Sequence, residues 1–360
     1  MIYREMLEVG VVLRKFLNYV FILLIIIFLG FAIQTDYLLI KPGSVDELGN
    51  IIRVEGEERQ EDGQFFMVTV SQHRASLWSY LYGMCHPFVD VRPISRVIPP
   101  DMSQEEYNQL MQNWMQESKY LAQIIALRRA GYEVSIVSDG VEIVDFMDGS
   151  PAQDILQAGD IIKAVEGKEV NLVEEVVKYI QAKEVGEEVL ITIQKGEEIK
   201  EYKIPTIANR DQPGKAALGI YVRTLNWHPL LPLKIDIETG PVIGPSAGMM
   251  FVLEILDRLL PENLTGGYRV AGTGTITIDG KVGGIGGIKQ KVIAAEQAGI
   301  DYILVPEENY GEAVQAAGRI NVVSVRNLDE ALVFLQSLER TAGYGRRADV
   351  IRQGTFSFCI

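Results

Sequence analysis

A stretch of twenty residues near the N-terminus, Phe16–Thr35, contains no charged side chain. Its central part, Val20–Phe31, is almost wholly aliphatic or aromatic. A helix of about 20 apolar residues spans the roughly 30 Å hydrocarbon core of a bilayer. A core helix of a soluble protein is rarely apolar on every face, and a cleavable signal peptide has a shorter apolar core. We therefore predict an uncleaved transmembrane signal anchor over residues 16–35.

Basic residues precede this span, namely Arg4, Arg14 and Lys15. Lys and Arg next to a membrane helix favour the cytoplasmic side. Residues 1–15 are therefore predicted to form a short cytoplasmic N-terminus. The rest of the chain is predicted to lie on the extracytoplasmic side of the cell membrane. The protein would then be single-pass, with the lipid bilayer as a partner of its N-terminal helix.

The overall charge excludes one class of partner. The chain carries 48 acidic and 34 basic residues, for a formal net charge of −14. Nucleic-acid binding needs clustered Lys and Arg to neutralise phosphates, so no nucleic-acid partner is expected. The only two cysteines, Cys85 and Cys359, predict neither a disulfide framework nor a zinc site. We expect no metal and no cofactor, and whether the two cysteines pair stays open.

Residues 36–130 contain no pattern that indicates chemistry. The run Gly63–Val70 is typical of a strand. Ser103, followed three residues later by Glu106, forms a capping box before an apolar run with helical spacing, which predicts a helix to about Arg129. We interpret this whole segment as a membrane-proximal spacer with a long helix.

Short predicted strands and one amphipathic helix occupy residues 131–207. A strand over Val141–Phe146 precedes Gly149-Ser150-Pro151-Ala152, and a second strand follows Gly159-Asp160. The helix Leu172–Lys183 is followed by two further predicted strands, near 189–194 and 200–205. In this order the segment resembles the PDZ domains attached to bacterial serine proteases, which are small and rich in β-structure.

A PDZ domain binds a peptide by adding it as a strand to a sheet edge beside a helix. The resemblance implies a groove between Val141–Phe146 and the helix Leu172–Lys183, with Gly140, Val141 and Ile143 in contact with the peptide. Capture of C-terminal or of internal segments both stay open. A PDZ domain that binds nothing and only gates access to a neighbouring domain is the other alternative.

Two glycine-rich motifs mark the C-terminal part of the chain. The first is Gly244-Pro245-Ser246-Ala247-Gly248, and the second is Gly286-Gly287-Ile288-Lys289-Gln290-Lys291. Between them lies Ala271-Gly272-Thr273-Gly274-Thr275-Ile276. Together these resemble the proteolytic domain of the Lon protease family over residues 225–338, and we assign a Lon-type α+β domain to residues 215–340. An anchor followed by a PDZ and a Lon domain resembles the membrane-anchored PDZ–Lon peptidases of Gram-positive bacteria.

The resemblance implies a Ser–Lys dyad, which we assign to Ser246 as the nucleophile and Lys289 as the base. A solvated lysine is charged at neutral pH, so the base must be desolvated to accept a proton. Lys291 is expected to be an ordinary solvated or paired charge. Gly244 and Ala247 are expected to support the oxyanion, and Thr273 to hydrogen-bond the amine of the dyad lysine.

The predicted protein is therefore α+β, with an N-terminal membrane helix, a PDZ domain, a Lon-type domain and a C-terminal tail over residues 341–360. No Gly-x-x-x-x-Gly-Lys-Ser/Thr motif occurs in the chain, so we expect ATP-independent cleavage of extracellular peptides or exposed protein segments. The alternative is a non-catalytic membrane-anchored PDZ adaptor with a relic protease fold. Assembly into a homo-oligomer stays open.

Overall fold

The computed structural model describes residues 2–57, 62–210 and 212–342, with side chains over 14–57, 62–210 and 212–338. Cys359 and the predicted tail from residue 343 onward lie outside the described residues. The helices are α1 (Ile2–Ala32), α2 (Leu77–Cys85), α3 (Gln104–Arg129), α4 (Val173–Gln181), α5 (Gly248–Leu259), α6 (Ile288–Gln297), α7 (Glu307–Ala316) and α8 (Leu328–Ala342).

The strands range from 2 to 14 residues and are interspersed with these helices, so the predicted mixed α+β class is confirmed. In chain order they are β1 (Gln34–Glu47), β2 (Ile52–Val54), β3 (Gln64–Ser76), β4 (Asp90–Pro93), β5 (Ser135–Val137), β6 (Gly140–Phe146), β7 (Ile161–Val165), β8 (Lys168–Glu169), β9 (Glu188–Lys195), β10 (Glu198–Pro205), β11 (Ile207–Ala208), β12 (Ala216–Ala217), β13 (Ile220–Leu225), β14 (His228–Leu230), β15 (Ile235–Ile237), β16 (Arg269–Gly272), β17 (Thr275–Ile276), β18 (Val282–Gly283), β19 (Tyr302–Pro306) and β20 (Asn321–Val325).

The described residues divide into two compact units: unit 1 comprises those up to residue 122 and those from residue 235 onward, and unit 2 comprises those between 123 and 234. The main sheet of unit 1 has the order β20-β19-β16-β3-β1-β4. Strand β3 pairs in parallel with β16 on one side and antiparallel with β1 on the other. The segment 36–122 is therefore part of the same sheet as the C-terminal strands, and the prediction of a separate spacer over residues 36–130 is wrong.

The core of unit 1 explains this position of β3. Four consecutive residues, Phe65–Val68, are all buried, which is typical of a central strand that is covered on both faces. Phe66 and Val68 pack in one cluster with the buried residues Ile288 and Val292 of α6. Helix α6 is thereby fixed against the sheet, and its orientation decides which of its side chains lie inside.

Helix α3 begins as its sequence predicts. The backbone N–H of Ser103 donates to Glu106 Oε2 at 2.7 Å, and the N–H of Glu106 donates to Ser103 Oγ at 3.2 Å. The hydrogen bond from the Ser103 N–H stabilises the carboxylate and, with a smaller contribution from the Ser103 side chain, lowers the pKa of Glu106. The helix ends at Arg129, so the predicted capping box and the predicted end of the helix are both confirmed.

Unit 2 is built on a sheet of order β10-β9-β7-β6-β13, to which β8 adds beside β7. Its core contains Val141 and Ile143 of β6 together with Val176 and Ile180 of α4. The predicted helix and hairpin in this region are confirmed by α4, β9 and β10. Strands β13 and β14 also belong to unit 2, so the C-terminal part of unit 1 resumes at residue 235 and not at the predicted 215.

Helix α1 has the length and composition of a membrane span over Arg14–Ala32. Every residue in this range except Gly30 is exposed, which suits a helix whose solvent is lipid. Strand β1 begins at Gln34, so the last two residues of the predicted span, Gln34 and Thr35, lie in a strand. The helix is compatible with membrane anchoring.

Candidate active site

Ser246 lies directly before α5, which begins at Gly248 with Ala247 as the N-cap residue. Helix α3 holds the preceding loop at two points. The N–H of Gly244 donates to Met111 O at 3.0 Å, and Ser118 Oγ donates to Pro245 O at 3.2 Å. A Cβ at position 248 would collide with Ser118 Oγ, so the close packing of this helix start requires glycine.

The strand side of the loop is held by residues after β16. The N–H of Gly274 donates to Ser246 O at 2.7 Å, and Thr273 Oγ1 donates to the same oxygen at 3.0 Å. Thr273 is 1% exposed. The backbone of Ser246 is thus fixed from both sides, while its side chain remains partly accessible.

Lys291 of α6 is the lysine that contacts this serine. Its Nζ lies 2.7 Å from Ser246 Oγ and 2.8 Å from Thr273 Oγ1. Lys291 as a whole is 3% exposed. Burial lowers the pKa of Lys291 from 10.5 to about 7, because desolvation penalises the charged amine.

Lys289 does not reach the serine, so the structure contradicts its predicted place in the dyad. Two residues along an α-helix correspond to a rotation of about 200°, so Lys289 and Lys291 point to opposite sides of α6. The Nζ of Lys289 lies 3.6 Å from Asp90 Oδ1, and its side chain is 35% exposed. The expectation that Lys291 is a solvated or paired charge is wrong for the same reason.

The sequence did contain a signal for the lysine that contacts Ser246. Ile288, Lys291, Val292 and Ala295 follow the i, i+3, i+4, i+7 spacing of one helix face. Ile288, Val292 and Ala295 are all fully buried. A lysine on such a face is carried into the core, whereas Lys289 falls outside the pattern.

The two other residues predicted to support the oxyanion differ from each other. The N–H of Gly244 is committed to Met111 O, so Gly244 cannot supply a free donor in this conformation. Ala247 lies at the N-cap of α5. Within the described part of the chain, the backbone N–H groups of Ser246 and Ala247 have no hydrogen-bond acceptor. Free N–H groups at a helix start favour a negatively charged oxygen.

Ser246 and Lys291 open into a pocket of about 1070 Å³. Much of its wall comes from the segment that the sequence assigned to a spacer. The residues contributed by β3 and α3 include Val70, Gln72, His73, Tyr107, Met111, Trp114 and Met115. Sequence reasoning missed them, because their position depends on the pairing of β3 with β16.

Comparison with known families identifies two domains in the chain. Residues 233–335 match the family model of the Lon protease C-terminal proteolytic domain, and residues 129–206 match that of the PDZ domain. The chain combines a Lon-type proteolytic domain with a PDZ domain. Both resemblances predicted from the sequence are confirmed, and the Lon match places a domain of the serine-peptidase type around Ser246.

Individual relatives share parts of the chain. The Lon protease of Halothermothrix orenii is 35% identical over 113 residues, which cover 30% of this chain and 14% of that protein. The Lon protease of Helicobacter pylori is 33% identical over 136 residues, which cover 36% and 16%. The PDZ domain of the SdrC-like protein from Listeria monocytogenes is 30% identical, covers 24% of this chain and 92% of that domain, and has a TM-score of 0.23. The chain spans only 14% and 16% of the length of these two Lon relatives.

The structure also contradicts the prediction that β6 is the peptide-binding edge of the PDZ domain. Strand β6 contains Gly140, Val141 and Ile143, and it pairs with β7 on one side and with β13 on the other. A strand that is paired on both sides offers no free backbone groups to a peptide. Val141 and Ile143 are fully buried, so they belong to the core of the PDZ domain and not to a groove.

The two edges of this sheet are β10 and β13, and β13 is the edge next to β6. In the described part of the chain its only strand neighbour is β6. The start of α4 is tied to it by a hydrogen bond of 3.1 Å from the N–H of Val173 to Thr224 Oγ1. An edge strand beside a helix is the arrangement that a β-addition site needs, and in unit 2 it occurs at Ile220–Leu225, after the end of the PDZ match at residue 206.

Proposed function

We propose that this protein is a membrane-anchored, ATP-independent serine endopeptidase, with Ser246 as the nucleophile and Lys291 as the general base. The observation that carries the proposal is the 2.7 Å contact between Lys291 Nζ and Ser246 Oγ. A base within hydrogen-bond reach of the hydroxyl is the geometric requirement for nucleophile activation. The match to the Lon proteolytic domain supports the same chemistry.

The environment of Lys291 supports its role as a base. A lysine with a pKa of about 7 is half neutral at pH 7, whereas a solvated lysine near 10.5 is almost wholly charged. The depression corresponds to about 5 kcal/mol of disfavoured charge. Thr273 accepts a hydrogen bond from the amine, which directs Nζ toward the serine hydroxyl.

The reaction then follows acyl transfer. Neutral Lys291 accepts the proton of Ser246 Oγ, and the oxygen attacks the carbonyl carbon of the substrate peptide bond. The backbone N–H groups of Ser246 and Ala247 stabilise the oxyanion. Protonated Lys291 gives its proton to the leaving amine, and the acyl-enzyme is hydrolysed by a water molecule that Lys291 deprotonates.

The substrate class follows from the pocket and from the edge strand. The pocket is open enough to admit an extended chain, and its walls carry several large apolar side chains from β3 and α3. Because the proposed activity does not unfold its substrates, the pocket suits extended peptides and exposed protein segments. Strand β13 of unit 2 is the proposed capture site, where a peptide adds as a further strand beside α4.

The location is proposed from α1. An exposed apolar helix over Arg14–Ala32 anchors the chain in the bilayer. Arg14 and Lys15 at its N-terminal end favour a cytoplasmic N-terminus. The proteolytic and PDZ domains then lie on the extracytoplasmic side, where the substrates are extracellular peptides or exposed segments of proteins.

The test is peptidase activity of the full chain in detergent or nanodiscs, on a library of fluorogenic peptides without ATP. The wild type is expected to cleave, and Ser246→Ala is expected to abolish cleavage while retaining the folded structure. Ser95→Ala, which changes a serine outside the site, serves as the matched control and is expected to retain activity. Activity that survives Ser246→Ala would exclude the mechanism. An inactive wild type that still binds peptides at β13 would favour the adaptor alternative.

A further inference from the structure

Helix α2 presents an apolar face outward, contrary to the usual pattern of a surface helix. Leu77, Leu81 and Met84 are 37%, 45% and 66% exposed, and Phe88 directly after the helix is 40% exposed. The i, i+4, i+7 spacing of Leu77, Leu81 and Met84 places them on one side of the helix, and Phe88 follows three residues after its end. Between Arg74 and Asp90 no acidic or basic residue occurs other than His86. A contiguous apolar stripe of this kind marks an interaction surface.

The opposite side of α2 is already packed inside unit 1. Gly83 is buried against Leu39 and Val91, and the ring of Tyr80 lies 4.8 Å from that of Tyr37. The outward stripe is therefore not a misplaced core face. It needs an occupant outside the chain.

The contacts of α2 with α1 identify that occupant. Trp78 Nε1 donates to Ile27 O at 3.0 Å, and the N–H of Leu77 donates to Ile33 O at 3.0 Å. A Cβ at Gly30 would overlap the Trp78 indole, so the two helices touch directly. Since α1 rises 1.5 Å per residue, Ile27 and Gly30 lie roughly 3–8 Å below the end of the span at Ala32.

We propose that α2 and the segment up to Phe88 lie in the interface of the bilayer, with Leu77, Leu81, Met84 and Phe88 inserted at headgroup depth. This rests on the membrane anchor proposed above. Trp78 and Tyr82 supply the amphipathic aromatic side chains that favour this level of a membrane. Only Ile33 separates α1 from β1, so α2 docks unit 1 onto the lipid surface and does not leave it on a long tether.

Cys85 provides the probe for this surface, because it is exposed at the end of α2. Cys359→Ser leaves Cys85 as the only cysteine in the full chain. An environment-sensitive fluorophore on Cys85 is measured in phosphatidylcholine–phosphatidylglycerol vesicles, with nitroxide-labelled lipid and aqueous iodide as quenchers. The matched control carries the fluorophore at Glu197→Cys in a Cys85→Ser, Cys359→Ser background, since Glu197 is exposed in the β9–β10 turn.

The expected result is a blue-shifted emission for the Cys85 probe, with lipid quenching several-fold stronger and iodide quenching several-fold weaker than for the Glu197 probe. The anchor α1 would keep Cys85 near the bilayer even if α2 were not inserted. The deciding variant is therefore Leu81→Glu with Met84→Glu. It is expected to move the Cys85 probe into water while α1 stays inserted. Quenching unchanged by these two substitutions would overturn the proposal.

Two other outcomes also overturn it. A Cys85 probe quenched by iodide as strongly as the Glu197 probe would place α2 in water. A probe shielded from both quenchers would indicate that protein, such as a second copy of the chain, covers the face. Failure of the anchor is read separately, since an unanchored chain is removed from the vesicles by alkaline carbonate. Failure of the proposed catalysis is read from peptide cleavage, which this measurement does not use.

Discussion

Lys289 and Lys291 lie two residues apart on α6, in the same motif and with the same side chain. One is partly exposed beside Asp90, and the other is buried against Ser246 and Thr273. The difference arises from the packing of α6 against β3, which turns one face of the helix inward. Residue type therefore supplies the amine, and the helix face determines whether that amine is buried against Ser246.

The largest expected difference between the two lysines is in catalysis. Lys291→Met keeps the volume and removes the base, so cleavage should fall by at least about 10³-fold, at the upper part of the range for a general base. Lys289→Met should leave cleavage within about two-fold, since its amine lies outside the site. The measurement is kcat/KM for one fluorogenic peptide with both variants and the wild type. A larger loss in Lys289→Met than in Lys291→Met would reverse the assignment.

The same pair should differ in stability. The unfolded chain holds Lys291 with a pKa near 10.5 and the folded chain with a pKa of about 7, so the folded state binds fewer protons between these values. Stability contributed by this group therefore rises as the pH rises from 7 to 10.5, and the full cost of burial, up to about 5 kcal/mol, is present below pH 7. Lys291→Met removes that cost.

Thermal unfolding of the wild type, Lys291→Met and Lys289→Met over pH 6 to 10 checks this. Lys291→Met is expected to be more stable than the wild type at pH 6, by several kcal/mol less the lost hydrogen bonds to Ser246 and Thr273. The advantage should shrink toward pH 10. Lys289→Met, the matched control, should show no such trend. An advantage that is constant with pH would contradict a buried neutral amine.

Much of the local structure could be predicted from the sequence, because it depends on residues close together in the chain. The capping box of α3 and the hairpin of β9 and β10 are of this kind. Ser246, the proposed nucleophile, was selected from its motif. The lysine could have been found from the apolar spacing of α6, yet the choice between two lysines in one motif depends on which face is buried.

The remainder depended on pairings between distant segments. Strand β3 pairs with β16 about 200 residues later, as in the register of Ala271 with Phe66, and no local pattern indicates that partner. The walls of the pocket from β3 and α3 follow from the same pairing. Likewise β6 pairs with β13 and is therefore an inner strand and not the predicted peptide edge, while its Val141 and Ile143 pack in the core with α4.

Substitutions of Thr273 test how the surroundings of the buried Lys291 affect its amine. Its hydroxyl accepts from Lys291 Nζ and donates to Ser246 O, so Thr273→Val should lower kcat/KM by about 10-fold, as for the loss of one or two buried hydrogen bonds. Losing an acceptor for the ammonium should also shift the apparent pKa of the pH–rate profile downward. Thr273→Ser, which keeps the hydroxyl, should restore most of the activity. A valine variant with an unchanged profile would show that the threonine only fills space.

The smallest effect is expected for the ion pair on the exposed side of α6. Lys289 Nζ and Asp90 Oδ1 lie 3.6 Å apart, with side chains 35% and 23% exposed, and pairs of this kind contribute about 0.2–1 kcal/mol. Asp90 also binds Arg92 at 3.1 Å, so a double-mutant cycle of Lys289→Met and Asp90→Asn is needed to isolate the pair. Thermal unfolding of the four proteins should give a coupling near the lower end of that range, and the coupling should vanish in high salt because exposed charges are screened. A salt-resistant coupling of several kcal/mol would mean that Lys289 is also held in a desolvated site, and the contrast between the two faces of α6 would then no longer hold.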